Sequence, residues 1–226
     1  LSSKVGSIGT GSGKVESDGS EYKDIERRSG RPTDLAKRAA IISAASHSFF
    51  EHGYGDSSIE RIAADADVSK VTVYNHFGNK RALFSAAVEA ECEKMRSHLL
   101  FDDHSGPLRE RLVAFGHAML AFLARPQMIR FEHRIAAETE REPELGIAFL
   151  DAGPRRMHSA LSGLIARAAD RGELVVDDPD TAAEQLASMV KGLGDLERRF
   201  AGTVDEAAAI KRVDNAVDAF LKIYGV

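Results

Sequence analysis

The sequence predicts an all-α protein, and three observations carry that expectation. Apolar residues recur three and four positions apart through nearly all of the chain after residue 35. Alternating strand patterns are essentially absent, and Ala, Leu, Arg and Glu, good helix formers, dominate the same stretch. The six prolines all fall at the edges of the periodic runs, where a missing N–H and a fixed φ do no harm.

A chain of 226 residues is long enough to bury a substantial core. Its 43% hydrophobic and 29% charged content is that of a soluble globular protein. No apolar run approaches the roughly 20 residues that a membrane helix needs, and no basic-then-apolar signal segment is evident, so no membrane partner is expected. The single cysteine, Cys92, excludes an internal disulfide framework and fits a reducing cytoplasm. The net charge of −5 is unevenly spread. Residues 27–81 hold nine Lys and Arg against six Asp and Glu, a net of +3, which leaves −8 for the remainder. A mildly basic segment on an acidic body suggests that one part alone meets phosphate.

Residues 1–30 are rich in Gly and Ser and read as a disordered tail. The GTGSGK stretch within it fails as a phosphate loop, because Ile8 stands where the first Gly should be and Val15 follows Lys14. Arg27, Arg28 and Arg31 ride on an extended arm before Pro32, either as a solvated linker or as an arm along DNA. A first helix is expected from about Thr33 to His52, with Gly53 as its stop.

The stretch from Ser57 to Leu83 then reads as a short helix, a tight turn, a second helix and the start of a third. Ile59, Ile62, Ala63 and Ala66 mark one buried face, and Val73 and Phe77, four apart, mark the next. Ser57 or Ser58 is placed to cap the first piece and Ser69 the second. Lys70, Val71, Thr72, Asn75 and His76 point away from that core, the make-up a helix-turn-helix presents to the major groove. Lys70 can donate to guanine O6 and N7, Val71 can touch a thymine methyl, and Thr72 and Asn75 can bond base edges. Ser58, Ser69, Tyr74, His76 and Lys80 suit phosphates, as does Arg31 on the arm.

A long helix, about Asn79 to Leu100, follows the Gly78-Asn79 turn. Beyond the loop at Asp102–Gly106 come helices from Pro107 to Pro126, Gln127 to Arg141, Glu144 to Ala152 and Arg155 to Arg171. GELVVDDPD is extended, Pro179 opens a helix to about Phe200, and a last helix spans about Asp205 to Tyr224. The expected organisation is a tail (1–30), a three-helix DNA-binding bundle with a helix-turn-helix (31–80), and a larger helical ligand-binding and dimerisation domain (81–226).

Ile62-Ala63, Ala66 through Val68-Ser69, Tyr74-Asn75-His76-Phe77, Lys80 and Leu83 together resemble the TetR family of transcriptional regulators. Asp67 stands where that family usually has Gly, and Val71 where Gly or Pro is frequent. Asp tolerates a left-handed turn better than most residues. RFEHRIAAETEREPELGIAFLDAGPRRM and ARAADRGELVVDDPDTAAEQL are similar to the AefR-like subgroup. The resemblance implies a homodimer that represses from a palindromic operator on double-stranded DNA. It also implies that the last two helices pair with those of a second copy, which points to Leu186, Val190, Gly194, Val213, Val217 and Phe220. Middle helices would enclose an effector pocket, and the expected effector, a small apolar or aromatic molecule, would release the protein from DNA; a regulator or activator without an effector is the competing reading.

Phe115, Met119, Phe122, Phe131, Phe149, Met157 and Met189 are candidates for pocket wall or for plain core, with Arg134 as a polar anchor. Arg134 and Glu138, four apart, fit a surface ion pair equally well. No metal is expected, since no two histidines have HxxxH spacing and Cys92 has no second thiol. No cofactor loop or nucleophile–base pair is present to suggest an enzyme. Gly192 and Gly194 interrupt an otherwise good helix, by a kink or by a close helix approach.

Overall fold

In the computed structural model of the protein, residues 34–97, 106–202 and 205–226 are described. They form α1 (Asp34–His52), α2 (Ile59–Asp65), α3 (Lys70–Phe77), α4 (Lys80–Ser97), α5 (Leu108–Leu123) and α6 (Pro126–Thr139). Then follow α7 (Pro143–Ala152), α8 (Pro154–Asp170), α9 (Pro179–Lys191), α10 (Gly194–Phe200) and α11 (Glu206–Tyr224). The predicted tail, Arg31 and most of the loop after α4 lie outside the described residues. Among those described, no single helix is long and apolar enough to cross a membrane.

Prolines begin α6, α7, α8 and α9, where the first N–H has no partner to lose. At Pro126 the chain bends by 68° between α5 and α6. One predicted helix is two. Pro179–Phe200 breaks at Gly192, whose φ of 48° ends α9, and the chain restarts as α10. A Cβ on Gly194 would collide with the guanidinium of Arg212 in α11. The close approach inferred for this glycine occurs within its own chain.

Two apolar cores result. The first joins α1, α2 and α3 to α4, α6 and α7, with the fully buried rings of Phe49, Phe84 and Phe131 at its centre. Phe49 meets Phe84 edge-on at 5.4 Å between centroids, and Phe50 stacks on Phe131 at 4.2 Å. Phe149 of α7 closes on Phe131 at 5.7 Å. The second core lies between α5, α8, α9 and α11. The predicted boundary at residue 80 thus does not coincide with a break in packing: α6 and α7 complete the core of the helix-turn-helix end.

This division bears on two expectations. The candidate pocket residues divide between the cores: Phe131, Phe122 and Phe149 belong to the first, and Phe115, Met119, Met157 and Met189 to the second. Leu186, Val190, Val213, Val217 and Phe220, expected at a dimer interface, are fully buried inside the protomer. The apolar faces that these stripes form pack on α5 and α8 of the same chain, and an amphipathic pattern does not distinguish that from pairing with a second copy.

The α2–α3 turn shows why local chemistry matters here. Asp67 has φ 52°, the one positive value on a non-glycine among the described residues. Its neighbours hold the turn, with Val68 N–H donating to Ala63 O at 2.9 Å and Ala66 N–H to Ile62 O at 3.0 Å. A β-branched residue suffers most in this conformation, whereas glycine trades strain for unfolded-state entropy. Asp67→Val is expected to cost about 1–2 kcal/mol more than Asp67→Gly in urea unfolding. Equal effects of the two substitutions would contradict a left-handed Asp67.

Candidate nucleic-acid interface

Each helix of the helix-turn-helix is started by a side chain. Ser58, in extended conformation, accepts from Arg61 N–H at 3.2 Å, and Ser69 accepts from Thr72 N–H at 3.0 Å. Asn79 does the same for α4, its Oδ1 accepting from Ala82 N–H at 2.8 Å. Gly78, at φ 77°, ends α3 with its N–H on Tyr74 O at 2.7 Å. With both ends pinned, α3 turns Val73 inward, 1% exposed, and Lys70, Val71, Tyr74 and Asn75 outward. Val71 is 67% exposed.

Not every candidate residue faces out. Thr72 is half-buried, and its hydroxyl lies 2.9 Å from that of Ser69. His76, expected to point away from the core, has a side chain only 11% exposed. Its Nε2 lies 3.3 Å from Asp34 Oδ1 at the start of α1. It is better placed to hold α1 on α3 than to meet a phosphate. Lys80 lies over the Tyr54 ring, 4.5 Å from the centroid, and donates to Gly55 O at 3.3 Å. Burial there lowers its pKa, opposed by the carboxylates of Glu138, Glu142 and Asp56. Lys70 donates to the Glu60 carboxylate across the two helices.

The α1–α2 turn behind this surface is tied to α6. Ser57 Oγ donates to Gly53 O at 2.7 Å and accepts from Ser48 Oγ at 2.9 Å, both groups buried. Arg134 of α6 donates to Glu51 O, and Glu138 accepts from Gly55 N–H at 2.9 Å. Gly53, at φ 88°, leaves room for them, since a Cβ there would sit 2.9 Å from Glu138 Oε1. Arg81 and Glu142 add a 3.2 Å pair, and Arg130 lies 3.6 Å from Glu51. The ion pair expected between Arg134 and Glu138 is replaced by these separate contacts with the turn. Glu138 and Ser57 carry no spacing signal that separates them from ordinary surface or capping residues.

An α2–turn–α3 unit with capped helices, an inward Val73 and an outward polar face defines the class of helix-turn-helix DNA-binding proteins. Comparison with known proteins takes this further. Residues 41–87 match the model of the bacterial regulatory proteins, tetR family, and residues 110–226 match the AefR-like transcriptional repressor C-terminal domain. The chain therefore belongs to the TetR family, as a DNA-binding transcriptional repressor rather than an enzyme. The transcriptional repressor AcnR of Corynebacterium efficiens is 25% identical over 142 residues, which is 63% of this chain and 71% of that protein. A solved TetR-family regulator from Mesorhizobium loti is 28% identical with a TM-score of 0.71, covering 87% of this chain and 100% of that one. The flavonoid-responsive regulator FrrA is 32% identical with a TM-score of 0.68, covering 84% and 97%.

Grooves on the body are open and mixed in polarity. One of about 420 Å³ lies between α4 and α8, with Cys92, Met157 and Ala160 below and Glu89, Glu93, Arg155 and Arg156 around it. Burial, with the nearby Glu91 carboxylate, pushes the Cys92 thiol up to about 11. At pH 8 its thiolate fraction is on the order of 0.1%. Alkylation by iodoacetamide is expected to run at least about tenfold slower on folded protein than on the urea-unfolded chain. Equal rates would contradict the packing given for α4.

Proposed function

We propose that the protein is a homodimeric repressor that holds a palindromic operator in the cytoplasm and leaves it when a small apolar or aromatic molecule binds. Residues 34–80 would supply the reading head, with Lys70 on guanine, Val71 on a thymine methyl, and Thr72 and Asn75 on base edges. Ser58, Ser69, Tyr74 and Lys80 would lie along phosphates. Two such heads fit successive major grooves about 34–36 Å apart.

Support for a second copy comes from α10 and α11. Leu193, Leu196, Phe200 and Ile210 are exposed, Phe200 by 83%, on one short stretch of the chain. Exposed apolar residues grouped in this way mark an interaction surface.

The observation that carries ligand release is the double attachment of α6. At one side Glu132 receives Arg198, which is 3% exposed and also bonds Asp195 and Leu123 O. At the other, Arg134 and Glu138 hold the α1–α2 turn. A ligand that displaced α6 would therefore change how the reading head is held. To act, it must bind the displaced form more tightly; a shift from 1:99 to 99:1 takes about 5.5 kcal/mol. An aromatic effector is favoured by the similarity to FrrA, which is described as flavonoid-responsive.

Two measurements test this. A thermal-shift screen that includes flavonoids is expected to find a compound that raises Tm and lowers retention of a selected operator duplex. Glu138→Ala should keep the Tm rise while losing most of the release. Failure of every stabilising compound to affect DNA retention would count against ligand gating. In sedimentation, wild type should be a dimer and Phe200→Asp should shift to monomer; a monomeric wild type would refute the dimer.

A further inference from the structure

The ion pair between Glu60 and Lys70 spans the two helices of the helix-turn-helix and is used by nothing described so far. We propose that Glu60 is a positioning residue for sequence discrimination: its carboxylate aims the Lys70 ammonium at a base edge. The inference rests on the reading of Lys70 as a base-contacting residue.

The geometry is specific on three counts. Lys70 is the first residue of α3, directly after the Ser69 cap, so its backbone is fixed. Glu60 lies in the first turn of α2, equally fixed by the Ser58 cap. The ammonium is held between the Glu60 carboxylate and the Tyr74 ring, 5.7 Å from its centroid. Both members are exposed, at 49% for Lys70 and 62% for Glu60, so burial does not dictate the pair.

A carboxylate at a surface that meets a polyanion weakens binding to every sequence. Its presence there calls for a compensating role. Lysine carries its charge on a four-carbon stem and would otherwise sample many directions, most of them toward phosphate. An ammonium has three N–H donors. With one donated to Glu60, two remain, which matches the O6 and N7 acceptors that guanine alone offers side by side in the major groove. Holding the cation in place before binding removes part of the ordering cost at the right base and withholds the cation from phosphates elsewhere.

The test uses the full-length protein and a preferred duplex selected from randomised DNA by wild type. Affinities are measured for that duplex, for the same duplex with each G·C pair changed singly to A·T, and for a random-sequence duplex. In wild type one G·C change per half-site should carry the Lys70 penalty. Glu60→Gln is expected to reduce that penalty by about three- to fivefold while raising affinity for the random duplex by about two- to fivefold. Glu60→Asp keeps the charge but shortens the reach; it should lose the base preference and leave the random-duplex affinity near wild type. If Glu60→Gln strengthens all duplexes equally, or if Glu60→Asp keeps the preference, the carboxylate acts by charge alone and the proposal fails. Lys70→Gln should abolish the penalty at that position. If it leaves every penalty unchanged, the reading of Lys70 itself is wrong, a failure distinct from that of Glu60.

Discussion

The rest of the structure depends on one packing constraint: the helix-turn-helix end cannot bury its apolar faces by itself. α1, α2 and α3 together contribute Ile41, Ala45, Phe49, Ile59, Ile62, Ala63 and Val73, with a single aromatic ring among them, too little to enclose a core of native density. Phe84 from α4 and Phe131 from α6 fill the space, and Phe149 from α7 closes it. Removal of a ring such as Phe131 would cost on the order of 3–5 kcal/mol. The surface offered to DNA is therefore set by residues far along the chain, and a rigid core transmits small shifts instead of absorbing them.

Polar contacts give that packing a direction. α6 carries Glu132 on one side and Arg134 and Glu138 on another, so one helix touches both α10 and the turn that begins α2. The Arg198 cluster is costly to bury, but a guanidinium bonded to Glu132, Asp195 and Leu123 O has its charge well matched. Such a cluster fixes a register between α6 and α10 more than it adds stability. Beside it, the apolar residues of α10 remain uncovered within the protomer. The arrangement links the proposed pairing surface, the proposed ligand response and the reading head through a single helix.

Much of this was legible in the sequence, and the gaps have physical causes. Helix positions follow from apolar spacing and from proline and glycine, and the left-handed turn at Asp67 follows from the tolerance of aspartate. What a helix face meets does not follow. The stripes of α9 and α11 would look the same whether turned to α5 and α8 or to a second copy. Arg134 and Glu138 show ordinary i,i+4 spacing, yet each reaches a different backbone group near Gly53. His76 sits at an outward-looking position of α3 and is covered because α1 begins beside it with Asp34. Gly192 and Gly194 signalled either a kink or a close approach, and both occur, the second within the chain.

The central claim is that α1–α4 and α6–α7 form one cooperative unit. Native-state hydrogen exchange in increasing urea tests it most directly. The account predicts that the core amides of α1, α4 and α6, around Phe49, Phe84 and Phe131, open with the same free energy and the same denaturant dependence. Exchange of α1 through α4 by a separate, lower-energy opening, with α6 and α7 still protected, would contradict it.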